Sequence, residues 1–87
     1  MAEYTKKNGE RVTYEVEERL AVLDKFKTTS LEVRRVAWNG RPARVEIRWW
    51  GQKQDGTEHP REGVALFPEA WERLLAFGAA QSKGKRR

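Results

Sequence analysis

Val36–Trp50, VAWNGRPARVEIRWW, decides the fold, because the length of its turn decides which side chains share a face. Asn39-Gly40 is the strongest short signal for a two-residue hairpin turn. Carried through the strands, that register sets Trp38 against Arg41 and Val33 against Glu46, and mixes Leu31 and Val33 with Arg44 and Arg48. An odd loop of three or five residues sorts the two faces instead. Leu31, Val33 and Ala37 then join Val45, Ile47 and Trp49, while Arg34, Val36 and Trp38 join Arg44, Glu46, Arg48 and Trp50. Arg34 comes opposite Glu46 and Glu32 opposite Arg48, both favourable cross-strand pairs. A slip of one residue would exchange the faces, so burial enforces the odd loop. Pro42, which cannot donate to a ladder, helps to set it. Arg35 then falls among the apolar residues, without an evident partner.

Working outward, Val12, Tyr14 and Val16 alternate with polar residues as a strand does. Glu18 breaks the alternation, and Leu20–Leu23 can continue the strand after a bend or bulge. Asp24–Ser30 reads as a loop, Leu31–Trp38 as the second strand and Ala43–Trp50 as the third. Gly51–Pro60, with its Asp55-Gly56 turn, reads as a loop and Gly63–Leu66 as a short fourth strand. Pro68 suits the first position of a helix, with Glu69 and Glu72 at the positive end of its dipole. Ala70, Trp71, Leu74, Leu75, Phe77 and Gly78 share an apolar stripe about 160° wide. The expectation is an α+β domain over residues 12–80, a four-stranded antiparallel β-sheet meander followed by one C-terminal α-helix packed on one face. Residues 1–11 are expected to be flexible, as is a basic tail over 81–87. One such sheet does not cover so broad a stripe. A homodimer joined through Trp71, Leu74, Leu75 and Gly78 would.

Eighty-seven residues allow one small core, and a second copy often completes such a core. The chain has no cysteine, which removes disulfides and thiolate metal sites. The N-terminus lacks the apolar stretch of a signal peptide, and no run has membrane-spanning length. A cytoplasmic protein without a membrane partner is expected. The net charge of +5 comes from the ends, since residues 12–81 hold eleven Lys/Arg against eleven Asp/Glu. Local segregation carries more meaning: Leu31–Trp50 has five arginines and two glutamates.

Aromatic rings set between guanidinium groups on a sheet suit stacked bases and a phosphate backbone. Trp38 and Trp50 are the expected stacking residues, with Arg34, Arg41, Arg44, Arg48, Lys53 and Arg61 as the cations. The plainer alternatives are tryptophans that cover a core and arginines paired with Glu32 and Glu46 as ordinary surface ion pairs. Lys25, Phe26 and Lys27 are either a lip of the groove or a plain loop, and the terminal KGKRR is either a DNA-touching arm or a solubilising tail. His59 with Asp55 and Glu58 is the one set suggesting acid–base or metal chemistry, and it has no second histidine beside it. The expectation is binding, not catalysis, with no metal and no cofactor.

In order and approximate spacing, WNGR, IRxW, Gly63-x-x-Leu66 and PEAW resemble the positive-cofactor-four family of transcriptional coactivators, and most closely its small bacterial members. The resemblance covers about Tyr14 to Ala80. It implies a homodimer whose open sheet faces bind single-stranded DNA with little sequence preference, in transcription regulation, replication or repair beside partner proteins it does not specify. Trp38 and Trp50 match the family's aromatics, and Arg41, Arg48 and Arg61 its basic residues. Glu62 stands where the family usually has lysine, and Phe67 where it has a capping Asn or Thr. An RNA-binding module, or a dimeric protein-interaction module using the same Trp/Arg face, remains the alternative.

Overall fold

The computed structural model describes residues 2–6 and 8–84, without the side chains of residues 82–84. Five strands, β1 (Ala2–Thr5), β2 (Arg11–Phe26), β3 (Thr29–Trp38), β4 (Arg44–Gln52) and β5 (Glu58–Leu66), are followed by helix α1 (Pro68–Gly84). The sheet is an antiparallel meander in the order β1-β2-β3-β4-β5.

The central hairpin has the expected register. Arg34 lies opposite Glu46, Glu32 opposite Arg48, and Val33 opposite Ile47. Asn39-Gly40 nevertheless makes the tight turn its sequence favours. Both residues have positive φ, 51° and 75°, and the Arg41 N–H donates to the Trp38 carbonyl at 2.9 Å. The ladder resumes at Val36–Arg44, so the Arg41–Ala43 side carries one residue more than its partner. A two-residue turn and an odd connection coexist because that extra residue, next to Pro42, makes the shift. The Asn39 side chain ties the tip to β2, accepting from the Thr13 N–H at 3.0 Å.

Four expectations are corrected. The sheet has five strands rather than four, because residues 2–5 are not frayed: Ala2 and Tyr4 turn inward against Tyr14 and Val12. Asn8-Gly9, with Gly9 at φ 89°, makes the turn that returns the chain to β2. The expected loop after Leu23 is mostly strand. β2 runs on to Phe26 through register shifts between Val16 and Glu18, Arg19 and Ala21, and Val22 and Asp24. The last strand starts at Glu58, five residues before Gly63, and α1 continues to Gly84 rather than stopping near Ala80. The rest of the basic tail, residues 85–87, lies outside the described residues.

Two unlike faces result. One holds the buried cluster Tyr14, Val36 and Trp50, with Ala2, Tyr4, Val16 and Trp38 packed against it. The other, by register, carries Leu31, Val33, Val45, Ile47, Trp49 and Val64, and it is covered only in part: Val33 and Val45 are buried, whereas Val64 is 55% exposed. Arg35 belongs to this second face, where its guanidinium reaches its cross-strand partner Glu18 at 3.6 Å.

The main contacts of α1 are with β4 and β5. Leu74, Leu75 and Phe77 stay exposed, and a Cβ added at Gly78 would meet nothing within 4 Å. The radius of gyration is 14.9 Å, whereas a compact domain of this length would have about 12 Å. The helix therefore keeps most of its apolar stripe uncovered.

Candidate nucleic-acid interface

On the Trp-bearing face, five side chains form a ladder. The Arg48 guanidinium lies 5.1 Å from the centre of the Trp38 ring, and Trp38 lies 5.0 Å from Tyr14. Tyr14 lies 5.6 Å from Trp50, over which Arg34 sits at 4.1 Å. Each pair is within the range of tilted aromatic or cation–π attraction. Burial pushes the Tyr14 phenol above its ordinary pKa, with the Glu58 charge adding to the rise and Arg34 opposing it, so the ring stays neutral.

Carboxylates hold both end cations. At one end Arg34 donates from Nε to Glu32 at 2.8 Å, and its Nη1 pairs with Glu58 at 2.8 Å. Glu32 also accepts from the Ser30 hydroxyl and pairs with Arg19 at 3.3 Å. Burial pushes the Glu32 carboxyl upward, but hydrogen bonds from Arg34 and Ser30 and the charges of Arg34 and Arg19 outweigh it, leaving the pKa below the ordinary value. At the other end Glu46, 0% exposed, takes Arg48 through Nε at 2.7 Å and Nη2 at 3.2 Å, and takes the Trp38 indole N–H at 2.9 Å.

The two ends differ in access. Trp50 and Arg34 are each only 1% exposed. They lie on the face expected of them, but as its floor: a base cannot stack on this Trp50, and a phosphate cannot reach this Arg34, without repacking. Trp38 is half-buried and, with Arg48, lines a groove of about 770 Å³. Tyr4 and Lys6 border that groove from the β1 side and His59 and Arg61 from β5. The sheet thus curls until its two edge strands flank one depression.

A bulge in β5 shapes the far wall. Between the pairs Arg48–Gly63 and Trp50–Pro60, β4 contributes one residue and β5 two, Arg61 and Glu62. The Arg61 carbonyl accepts from Arg48 Nη1 at 2.7 Å. Gly63 makes this crossing possible: a Cβ there would lie 2.5 Å from the Arg48 Cβ and 2.7 Å from the Ile47 carbonyl oxygen.

The remaining cations are peripheral. Arg41, Arg44, Lys53 and Arg61 are exposed and form no ion pair among the described residues. Arg44 lies 4.3 Å over the Phe67 ring, and Arg61 and Glu62 border both the groove and a second depression beside Phe26, Lys27 and Trp49. Phe26 and Lys27 therefore adjoin the second depression, not the groove of Trp38. His59, Asp55 and Glu58 have separate duties. The imidazole packs over Gly51, Asp55 receives the Thr57 N–H at 2.9 Å, and Glu58 pairs with Arg34. Tyr14 and Glu46 were not among the expected site residues, although the alternation around Tyr14 and the cross-strand pair Arg34–Glu46 pointed to that face.

The family described as transcriptional coactivator p15 (PC4) matches residues 25–77. That span runs from the end of β2 into α1 and includes Trp38, Arg48 and the β5 bulge. No individual curated protein matches the chain.

Proposed function

Because the chain belongs to the transcriptional coactivator p15 (PC4) family, we propose that it binds single-stranded DNA with little sequence preference and acts as a homodimer in transcription, replication or repair. The observation carrying this reading is a half-buried tryptophan in a groove bordered by the unpaired Arg61, with further unpaired cations exposed elsewhere on the surface. Unstacked bases need an aromatic face, and their backbone needs positive charge along its path. Trp38 supplies the first; Arg41, Arg44, Lys53 and Arg61 supply the second. Duplex DNA keeps its bases stacked on one another and has none free to offer to Trp38.

The exposed stripe of α1, with Leu74 and Leu75, supports a two-fold partner, and a second copy would set two grooves in one particle. Titration of labelled oligo-dT, oligo-U and duplex DNA across a salt series, with a mass measurement of the free protein, tests both parts. Tight, salt-sensitive binding of oligo-dT with weak duplex binding is expected, along with twice the subunit mass. Absence of binding to all three at low salt would end the reading, and preference for oligo-U would move it to RNA.

A further inference from the structure

We propose that Arg48 stacks on a nucleobase instead of neutralising a phosphate. This rests on the groove being a single-strand site and assigns the chemistry of one part of it. The guanidinium is fixed in its own plane by three acceptors: Glu46 Oε1, Glu46 Oε2 and the Arg61 carbonyl, at 2.7, 3.2 and 2.7 Å. Its central carbon lies over the Trp38 ring, 5.1 Å from the ring centre. The side chain is 17% exposed and borders the groove. Three of its five N–H groups are taken, which reduces what it offers a phosphate in its plane, while its flat surface borders the groove. Guanidinium planes stack on unpaired bases as aromatic rings do.

Charge argues the same way. Glu46 is fully buried and bound to Arg48 through two hydrogen bonds, so the two form a neutral pair when a polyanion approaches. Arg61 at the groove and the exposed Arg41, Arg44 and Lys53 attract phosphates without that cancellation. Glu46 acts here as a positioning residue: it holds the indole N–H of Trp38 and the guanidinium of Arg48 together, so that two stacking surfaces form one fixed step.

R48K separates the two roles, since it keeps the charge and a partner for Glu46 but removes the plane. Affinity for oligo-dT is measured against salt for the wild type, R48K and R41Q, with the near-ultraviolet circular dichroism of each confirming the fold. R48K is expected to weaken binding by about 5- to 150-fold, as loss of a stacked base does, with the slope of log affinity against log salt unchanged. R41Q is expected to reduce that slope by about 0.7, the contribution of one single-strand phosphate. Wild-type affinity in R48K would overturn the proposal, as would a fall in its slope like that of R41Q. As a second measurement, 2-aminopurine placed in the oligo-dT should be less quenched by R48K than by the wild type, and equal quenching at saturation would also overturn it. Failure of the wild type to bind oligo-dT would instead remove the function on which the proposal rests.

Discussion

The two ends of the aromatic ladder are built alike and do different work. Each has a tryptophan, a guanidinium over its ring and carboxylates fixing that guanidinium: Trp50, Arg34, Glu32 and Glu58 at one end, Trp38, Arg48 and Glu46 at the other. The Trp50 end is sealed and the Trp38 end borders a groove. Residue type therefore does not separate scaffold from ligand surface here; depth does. Tyr14 stands between the two tryptophans and leans on both, so the sealed end supports the open one through a single ring.

Substitutions can break this contrast at either end. The largest effect is expected at the sealed end, where W50A should cost about 3–5 kcal/mol of stability, as loss of a large core aromatic does; a chemical denaturation curve measures it, and a loss below about 1 kcal/mol would contradict the core role. R34M should come next, at about 3 kcal/mol, because it leaves the buried Glu32 and the half-buried Glu58 with only the exposed Arg19 as a cation. At the open end W38A should lower oligo-dT affinity by about 1–3 kcal/mol while the protein still unfolds cooperatively. Equal loss of stability in W38A and W50A would erase the difference between the ends.

Acidification sharpens the same contrast with a smaller effect. The folded-state pKa of Glu32 is depressed, so its contribution is complete above the unfolded carboxylate pKa and is lost as pH falls through the folded value. Stability should decline below the ordinary glutamate range, and R34M should flatten that decline in a series of melting curves. The smallest effect belongs to the exposed cations. K53Q should leave stability unchanged and lower the salt slope by about 0.7 if Lys53 meets a phosphate.

Much of the central hairpin was legible from parity alone. The pairs Arg34–Glu46 and Glu32–Arg48 follow from the requirement that Val33, Val45 and Ile47 share a face, and the structure has them. Parity gives the face of a side chain but not its depth, which is why Trp50 and Arg34 read as ligand contacts. Their cover comes from Tyr14 and from the curl of the sheet, and neither shows in the alternation of β4. The missing first strand had a readable signal, with Ala2 and Tyr4 alternating before Asn8-Gly9, but four residues of period two among charges are easily taken for a frayed end. The bulge at Arg61–Glu62 had no comparable mark. Glu18 did announce the first irregularity of β2, and its partner turned out to be Arg35.

Gly63 lies at the surface, where substitutions usually change stability by less than about 0.5 kcal/mol. The space its missing side chain leaves is filled by Arg48 from the neighbouring strand. A mutational scan ordered by exposure would rank this position among the tolerant ones, yet a single methyl group there would push against β4 and tilt the guanidinium away from Trp38. Position 63 should therefore behave in such a scan as an interior site, and shortening the residue opposite should not restore its tolerance, because the Ile47 carbonyl oxygen stays in the way.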